Sequence, residues 1–343
     1  MRQIFIHIGP HKTGSTTIQY SLKRNEDRLL ENKVYLPTIG RNNELIVKHT
    51  ILVRELNKRK SKLWVELLKE LDEVLAEKII ITCENFSKCN DDEIIRIKEY
   101  FDNYEVFIIF YVRRQDQRLQ SLWSQAAKRP SVRGEIPFFY EWLEINDYQE
   151  LTCDYYGLYK KWGAIFGEDH ILIRVFEKSQ FTGNLFQDFL TTCGIKNAEA
   201  YEMNEDRNIK PSIKTLILLQ SYQHFLGTKT REETKTKVFR YIREFAKEKN
   251  WGSERWNLVT IEIFDKIMSH YKESNRKLAQ EVFHRDELFF EPFDENMGIF
   301  TLDYFSPNDL IELNSFIILR FEQEKFEHLN LLNKIRNHFL NDE

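Results

Sequence analysis

Residues 6–17 read Ile6-His7-Ile8-Gly9-Pro10-His11-Lys12-Thr13-Gly14-Ser15-Thr16-Thr17. An apolar run, Gln3–Ile8, stops at Gly9, a short loop follows, and a helical pattern begins near Gly14. A strand that turns into a helix in this way aims backbone N–H groups and a helix N-terminus at one point. Ser15, Thr16 and Thr17 add hydroxyls at that point. A plain strand–helix turn would explain the glycines alone. It would not explain strand end, lysine and hydroxyl cluster together, so the stretch predicts an anion site.

The pattern extends outward. Lys78–Cys83, Glu105–Val112 and His170–Phe176 are further β-branched and aromatic runs, of the kind that strands buried on both faces carry. Helical stretches alternate with them: Ser15–Glu31, Lys62–Glu77, Asp91–Asp102, Gln115–Lys128 and Asp154–Phe166. Such alternation predicts an α/β fold, a P-loop-like parallel sheet flanked by helices. From Pro211 onward Ser212–Leu226, Thr230–Lys249, Thr260–Tyr271 and Pro307–Leu340 read as helices, so the C-terminal part is a largely helical elaboration. We expect a single domain over 1–343, with an α/β core over 1–200 and a mainly helical extension over 201–343.

The chain has 343 residues, of which 42% are hydrophobic and 30% charged, and that balance excludes wholesale disorder. A net charge of −4 argues against a nucleic-acid binder while leaving room for a local basic pocket. Cys83, Cys89, Cys153 and Cys193 form no C-x-x-C pair and have no histidine cluster beside them. They predict reduced thiols in a cytoplasmic protein. The apolar start is too short for a signal peptide, and the longest apolar run, Val106–Val112, is too short for a membrane span.

A nucleotide-hydrolysing P-loop reads G-x-x-x-x-G-K-[ST]. Gly9 and Gly14 have that spacing, but Ser15 stands where the lysine belongs, and the nearby lysine, Lys12, lies inside the loop. No acidic strand end for Mg²⁺ is visible, since Lys78–Cys83 runs into Glu84. Lys12-Thr13-Gly14-Ser15-Thr16-Thr17 resembles the 5′-phosphosulfate loop of sulfotransferases that use 3′-phosphoadenosine 5′-phosphosulfate (PAPS). The longer His7-x-Gly9-x-His11-Lys12-Thr13-Gly14-Ser15-Thr16 is similar to their bacterial, carbohydrate-type branch.

A second stretch, Tyr111-Val112-Arg113-Arg114 through Trp123, carries the resemblance further. Arg113 ends a strand and Ser121 follows eight residues later in a helix, the spacing with which sulfotransferases hold the cofactor's 3′-phosphate. An arginine there offers a planar fork to a phosphate, whereas bare positive charge would oppose the dipole of a helix N-terminus. Arg118 resembles a further basic position of the motif. Weaker likeness lies in Tyr159-x-x-Trp162-x-x-x-Phe166-Gly167, Gly183-x-Leu185-x-x-Asp188-Phe189-Leu190 and Ser274-Asn275-x-x-Leu278-Ala279. Coverage is therefore about residues 1–285. Asn204–Ser212 departs from the family pattern, and no role is carried onto it.

The resemblance implies PAPS as co-substrate, 3′-phosphoadenosine 5′-phosphate (PAP) as product, and no metal. Lys12 would be the catalytic cation, and Thr13, Gly14, Ser15, Thr16 and Thr17 would hold the 5′-phosphate with it. Arg113 and Ser121 would hold the 3′-phosphate. Glu84, at a strand's C-terminal end, and His11, in the loop, are the candidates for general base, with Glu84 preferred. The implied acceptor is a hydroxyl or amine of a carbohydrate or glycolipid. Lys128, Arg129, Arg133 and the Trp251–Trp256 loop offer charge and aromatic platforms for it, although scattered surface charge and core packing explain the same residues. Two other functions fit less well: a P-loop kinase using Mg²⁺–ATP, and a non-catalytic nucleotide-binding scaffold.

Overall fold

The computed structural model describes residues 1–128, 139–145, 153–204, 212–227, 230–251, 257–294 and 305–341. Arg129, Arg133, residues 205–211 and residues 252–256 lie outside the described residues. The chain divides into two compact units. Unit 1 comprises Met1–Leu122, Tyr148–Asn208 and Phe264–Phe293, and unit 2 comprises Trp123–Asp147, Ile209–Ile263 and Asp294–Glu343.

Unit 1 is built on five parallel strands: β1 (Gln3–Gly9), β2 (Val34–Tyr35), β3 (Lys78–Thr82), β4 (Glu105–Val112) and β5 (Ile171–Val175). Their order is β2-β3-β1-β4-β5, so β1 is central. Along the described chain the helices are α1 (Ser15–Arg24), α2 (Glu26–Glu31), α3 (Thr50–Asn57), α4 (Lys62–Asp72), α5 (Asp91–Tyr100), α6 (Gln115–Ala127), α7 (Phe139–Ile145, in unit 2), α8 (Tyr155–Phe166) and α9 (Leu185–Thr192). The continuation is α10 (Ile213–Leu226), α11 (Glu232–Glu248), α12 (Ile261–Phe283) and α13 (Pro307–Asn341). The α/β class and the helical C-terminal part are as the sequence predicts. The two-residue β2 and the helices α3, α7 and α9 are additions. The predicted helix over Ser15–Glu31 breaks at Asn25, whose side chain donates to Ser21 O and Glu202 O.

Strand alternation explains why the sheet is apolar on both faces. Ile4, Ile6, Ile8, Ile79, Ile81, Ile108 and Phe110 face a core shared with α3, α4, α5 and α8. Phe5, Ile80, Ile109 and Tyr111 face the opposite core, filled by Ile18 and Leu22 of α1 and Phe186 and Phe189 of α9. Capping boxes at Asn90–Glu93 and Asn184–Gln187 fix where α5 and α9 begin. In unit 2, Leu218 and Leu219 of α10 meet Val238, Phe239 and Ile242 of α11 and Leu313 of α13.

Two buried histidines tie the strand ends together. His49 Nδ1 accepts the Thr82 N–H at 3.1 Å, so its Nε2–H donates to Pro37 O at 2.9 Å. His7 Nδ1 lies 2.9 Å from Thr82 Oγ1. Burial pulls both imidazoles down to about 4. The unfolded chain, with histidines near 6.5, therefore binds more protons between pH 6.5 and 4, and stability falls as pH drops through that window. Each fully linked proton contributes up to about 1.4 kcal/mol per pH unit. Urea midpoints measured from pH 7 to pH 4 are expected to fall, and His49→Asn is expected to flatten the slope. A midpoint unchanged across that window would contradict the neutral assignment.

Candidate active site

In open parallel sheets, ligands gather beyond the C-terminal ends of the strands. Here those ends bring together the loop after β1, Glu84 after β3 and Arg113 after β4. Gly9 takes φ 93°, and a Cβ on it would come within 2.8 Å of Glu84 Cα, so only glycine lets β1 end against Glu84. Gly14 takes φ 82°, and a Cβ there would strike Leu185 and Phe176 at about 2.5 Å. Lys12 also has positive φ, at 74°. The Thr13 hydroxyl, fully buried, donates to Pro10 O at 2.7 Å and closes the loop on itself.

Helix α1 starts at Ser15 with no side-chain cap and no acid in its first turn. The Ser15 hydroxyl is buried, with only 4% of the residue exposed, and has no hydrogen-bond partner among the described residues. An orphaned buried hydroxyl beside uncapped helix amides fits a phosphate oxygen. Thr16 and Thr17, half-buried, stand next to it.

Two arginines brace this loop by its backbone. Arg113 Nη1 donates to Lys12 O at 3.2 Å and its Nε donates to Gln117 Oε1 at 3.2 Å. Arg118, which is 2% exposed, donates Nε to His11 O at 3.0 Å and Nη1 to Cys153 Sγ at 2.8 Å. Arg114 turns away: it pairs with Asp116 at 2.7 Å and donates to the carbonyls of Glu291 and Pro292. Ser121 lies half-buried on α6, and among the described residues no hydrogen bond joins it to Arg113 or the loop.

The two candidates for general base are one unit. His11 Nδ1 lies 3.9 Å from Glu84 Oε1, with the His11 side chain 26% exposed and that of Glu84 only 8%. His11 Nε2 faces Asn85 Oδ1 at 2.9 Å, an acceptor, so this nitrogen donates and Nδ1 carries the lone pair. Glu84 in turn accepts from Lys48 Nζ at 2.6 Å and from Gln19 Nε2 at 3.1 Å. Burial raises the Glu84 carboxyl, but the hydrogen bond and charge of Lys48 outweigh it and hold Glu84 below its usual value. Burial likewise holds the His11 imidazole below its ordinary 6.5, against the pull of Glu84.

No family model matches the chain. The chain is 28% identical over 206 residues to an uncharacterized protein of Archaeoglobus fulgidus. The match takes in 60% of this chain and 54% of that one, so the chain spans about half the length of this relative. Among solved structures it is similar to a sulfotransferase from Alicyclobacillus acidocaldarius, with 16% identity and a TM-score of 0.38 over 60% of this chain and 88% of the other. Neither likeness assigns an activity to this chain.

Lys48 and Gln19 carry no motif and were not anticipated. Lys48 is placed because its neighbour His49 is locked to Thr82 at the end of β3, two residues before Glu84. Gln19 stands one turn after Ser15 on α1 and is fully buried beside Ile18, a burial that a polar residue does not announce in the sequence. Of the residues considered for the acceptor, Lys128 accepts through its carbonyl from Arg243. Trp251 is 6% exposed and belongs to the core of unit 2, so it is a packing residue. Among the described residues no helix is long and apolar enough to cross a membrane.

Proposed function

We propose that the protein is a PAPS-dependent sulfotransferase, acting on a hydroxyl or amine of a carbohydrate or glycolipid acceptor. The observation that carries this reading is the orphaned Ser15 hydroxyl at the uncapped start of α1. It stands in a loop whose lysine precedes Gly14 and whose backbone is gripped by Arg113. Bound PAPS supplies the sulfuryl group and a 5′-phosphate that can leave with the electron pair of the broken S–O bond.

The chain's own residues do the rest. Thr13, Gly14, Ser15, Thr16 and Thr17 provide amides and hydroxyls for the 5′-phosphate. Lys12 supplies the cation for the negative charge that develops on the leaving oxygen, the kind of preorganised stabilisation that is often the largest catalytic contribution. Arg113 and Ser121 receive the 3′-phosphate, and the Arg113–Lys12 contact couples that site to the loop. His11, the outer member of its pair, takes the acceptor's proton. The Glu84 carboxylate stabilises the imidazolium so formed, and Lys48 and Gln19 hold Glu84 in place.

The test is a thermal-shift titration with PAP, ADP and Mg²⁺–ATP. We expect a shift with PAP at concentrations where ADP gives none. Arg113→Ala is expected to weaken PAP about 10- to 100-fold, the worth of hydrogen bonds to a charged group. A shift with Mg²⁺–ATP and none with PAP would replace this reading by a kinase.

A further inference from the structure

The segment 45–65 holds six basic residues, Lys48, Arg54, Lys58, Arg59, Lys60 and Lys62, against one acid, Glu55, in a chain whose net charge is −4. Lys48 sits in the site beside Glu84, two residues before α3. Ile51, Arg54 and Lys58 follow at i, i+3 and i+7, one stripe of the helix surface, with Arg54 and Lys58 exposed. The stripe ends in the turn Lys58-Arg59-Lys60-Ser61-Lys62, where every residue is exposed.

The turn has a fixed shape. The Lys58 and Lys60 N–H groups donate to Glu55 O, and the Arg59 N–H donates to Leu56 O. Arg59 has φ 52°, the position after a helix end where glycine is the usual choice. The single acid is turned inward, its carboxylate accepting the Leu63 N–H at 2.9 Å. Among the described residues no carboxylate pairs with Arg54, Lys58, Arg59 or Lys60, and Lys62 reaches Glu66 only at 3.7 Å.

Complementing the α3 dipole does not account for this charge. Arg96 already donates to Leu56 O at the end of α3. Lys62 opens α4, where a cation opposes the dipole and no acid occupies the first turn. We infer that the α3 stripe and its turn form a docking surface for a soluble anionic polysaccharide. Resting on the sulfotransferase reading, we further infer that this polymer is the acceptor, led along α3, about 12 Å long, to Glu84 and His11. The turn contains no apolar side chain to enter a bilayer. The stripe and turn contain no aromatic to stack nucleic-acid bases.

The experiment compares wild type with the fourfold variant K58Q/R59G/K60Q/K62Q, in which glycine suits the backbone at residue 59. The probes are dextran sulfate, neutral dextran, single-stranded DNA and phosphatidylglycerol vesicles, each over a salt series. We expect wild type to bind dextran sulfate and ignore neutral dextran. The variant should lose at least about tenfold in affinity and show a shallower salt dependence, as fewer counterions are released. Its PAP thermal shift should equal that of wild type. Equal dextran sulfate binding by variant and wild type overturns the surface. Equal or tighter binding of vesicles or DNA overturns the commitment to a polysaccharide. A preserved polymer effect with no PAP shift in either protein overturns the acceptor assignment and the sulfotransferase reading, while the surface stands.

Discussion

Lys12→Ala is expected to cut sulfuryl transfer about 10²–10³-fold, the cost of removing one preorganised charge-stabilising group, while the protein still folds with a cooperative thermal transition. The two outcomes separate because the loop backbone has contacts of its own. Arg113 grips Lys12 O, Arg118 grips His11 O and the Thr13 hydroxyl closes on Pro10 O, and all three contacts survive truncation. The left-handed backbone at residue 12, φ 74°, is no harder for alanine than for lysine. If Lys12 acts on charge that develops during transfer, kcat falls more than PAP affinity does. Wild-type turnover in the variant, measured with labelled PAPS, would remove Lys12 from the mechanism. A loss confined to PAP binding would reduce it to a ligand of the ground state.

The sheet was legible because its strands are buried on both faces and read as unbroken apolar runs, Lys78–Cys83 and Glu105–Val112 above all. The short edge strand Val34–Tyr35 has too few residues to show any periodicity. The loop was legible for a local reason: glycine spacing, lysine and hydroxyls are consecutive. The brace on the loop was not. Arg118 read as a further basic position of the motif, with nothing to show that it is buried and reaches the loop through His11 O, a contact between residues 107 apart in the chain. Glu84 and His11 read as rivals because they lie far apart in sequence, and the strand order β3-β1 makes them neighbours. Lys48 was silent for the same reason. A lysine on a loop has no pattern of its own, and it is delivered to Glu84 by a histidine buried against the next strand.

In the proposed reaction that neighbourhood decides how the proton leaves the acceptor. His11→Asn is expected to lose about 10²–10⁴-fold in kcat/KM, the usual worth of a general base. Glu84→Gln should lose less, because it removes the charge that stabilises the imidazolium and leaves the proton acceptor in place. The reverse order of losses would move the base to Glu84. The pH profile distinguishes the two further. The His11 pKa is lowered by burial and by Lys88 and Lys48, against the opposing pull of Glu84 and Asn85. A base with a folded pKa under 6.5 is already neutral at pH 7, so activity should be flat through neutrality and fall only as pH drops below that value. Lys48→Met removes a cation that depresses both His11 and Glu84, so both proton affinities rise and the acid limb moves to higher pH. The plateau at alkaline pH should persist, since the base itself is intact. An acid limb unmoved in Lys48→Met would mean that neither His11 nor Glu84 carries the titration that limits transfer.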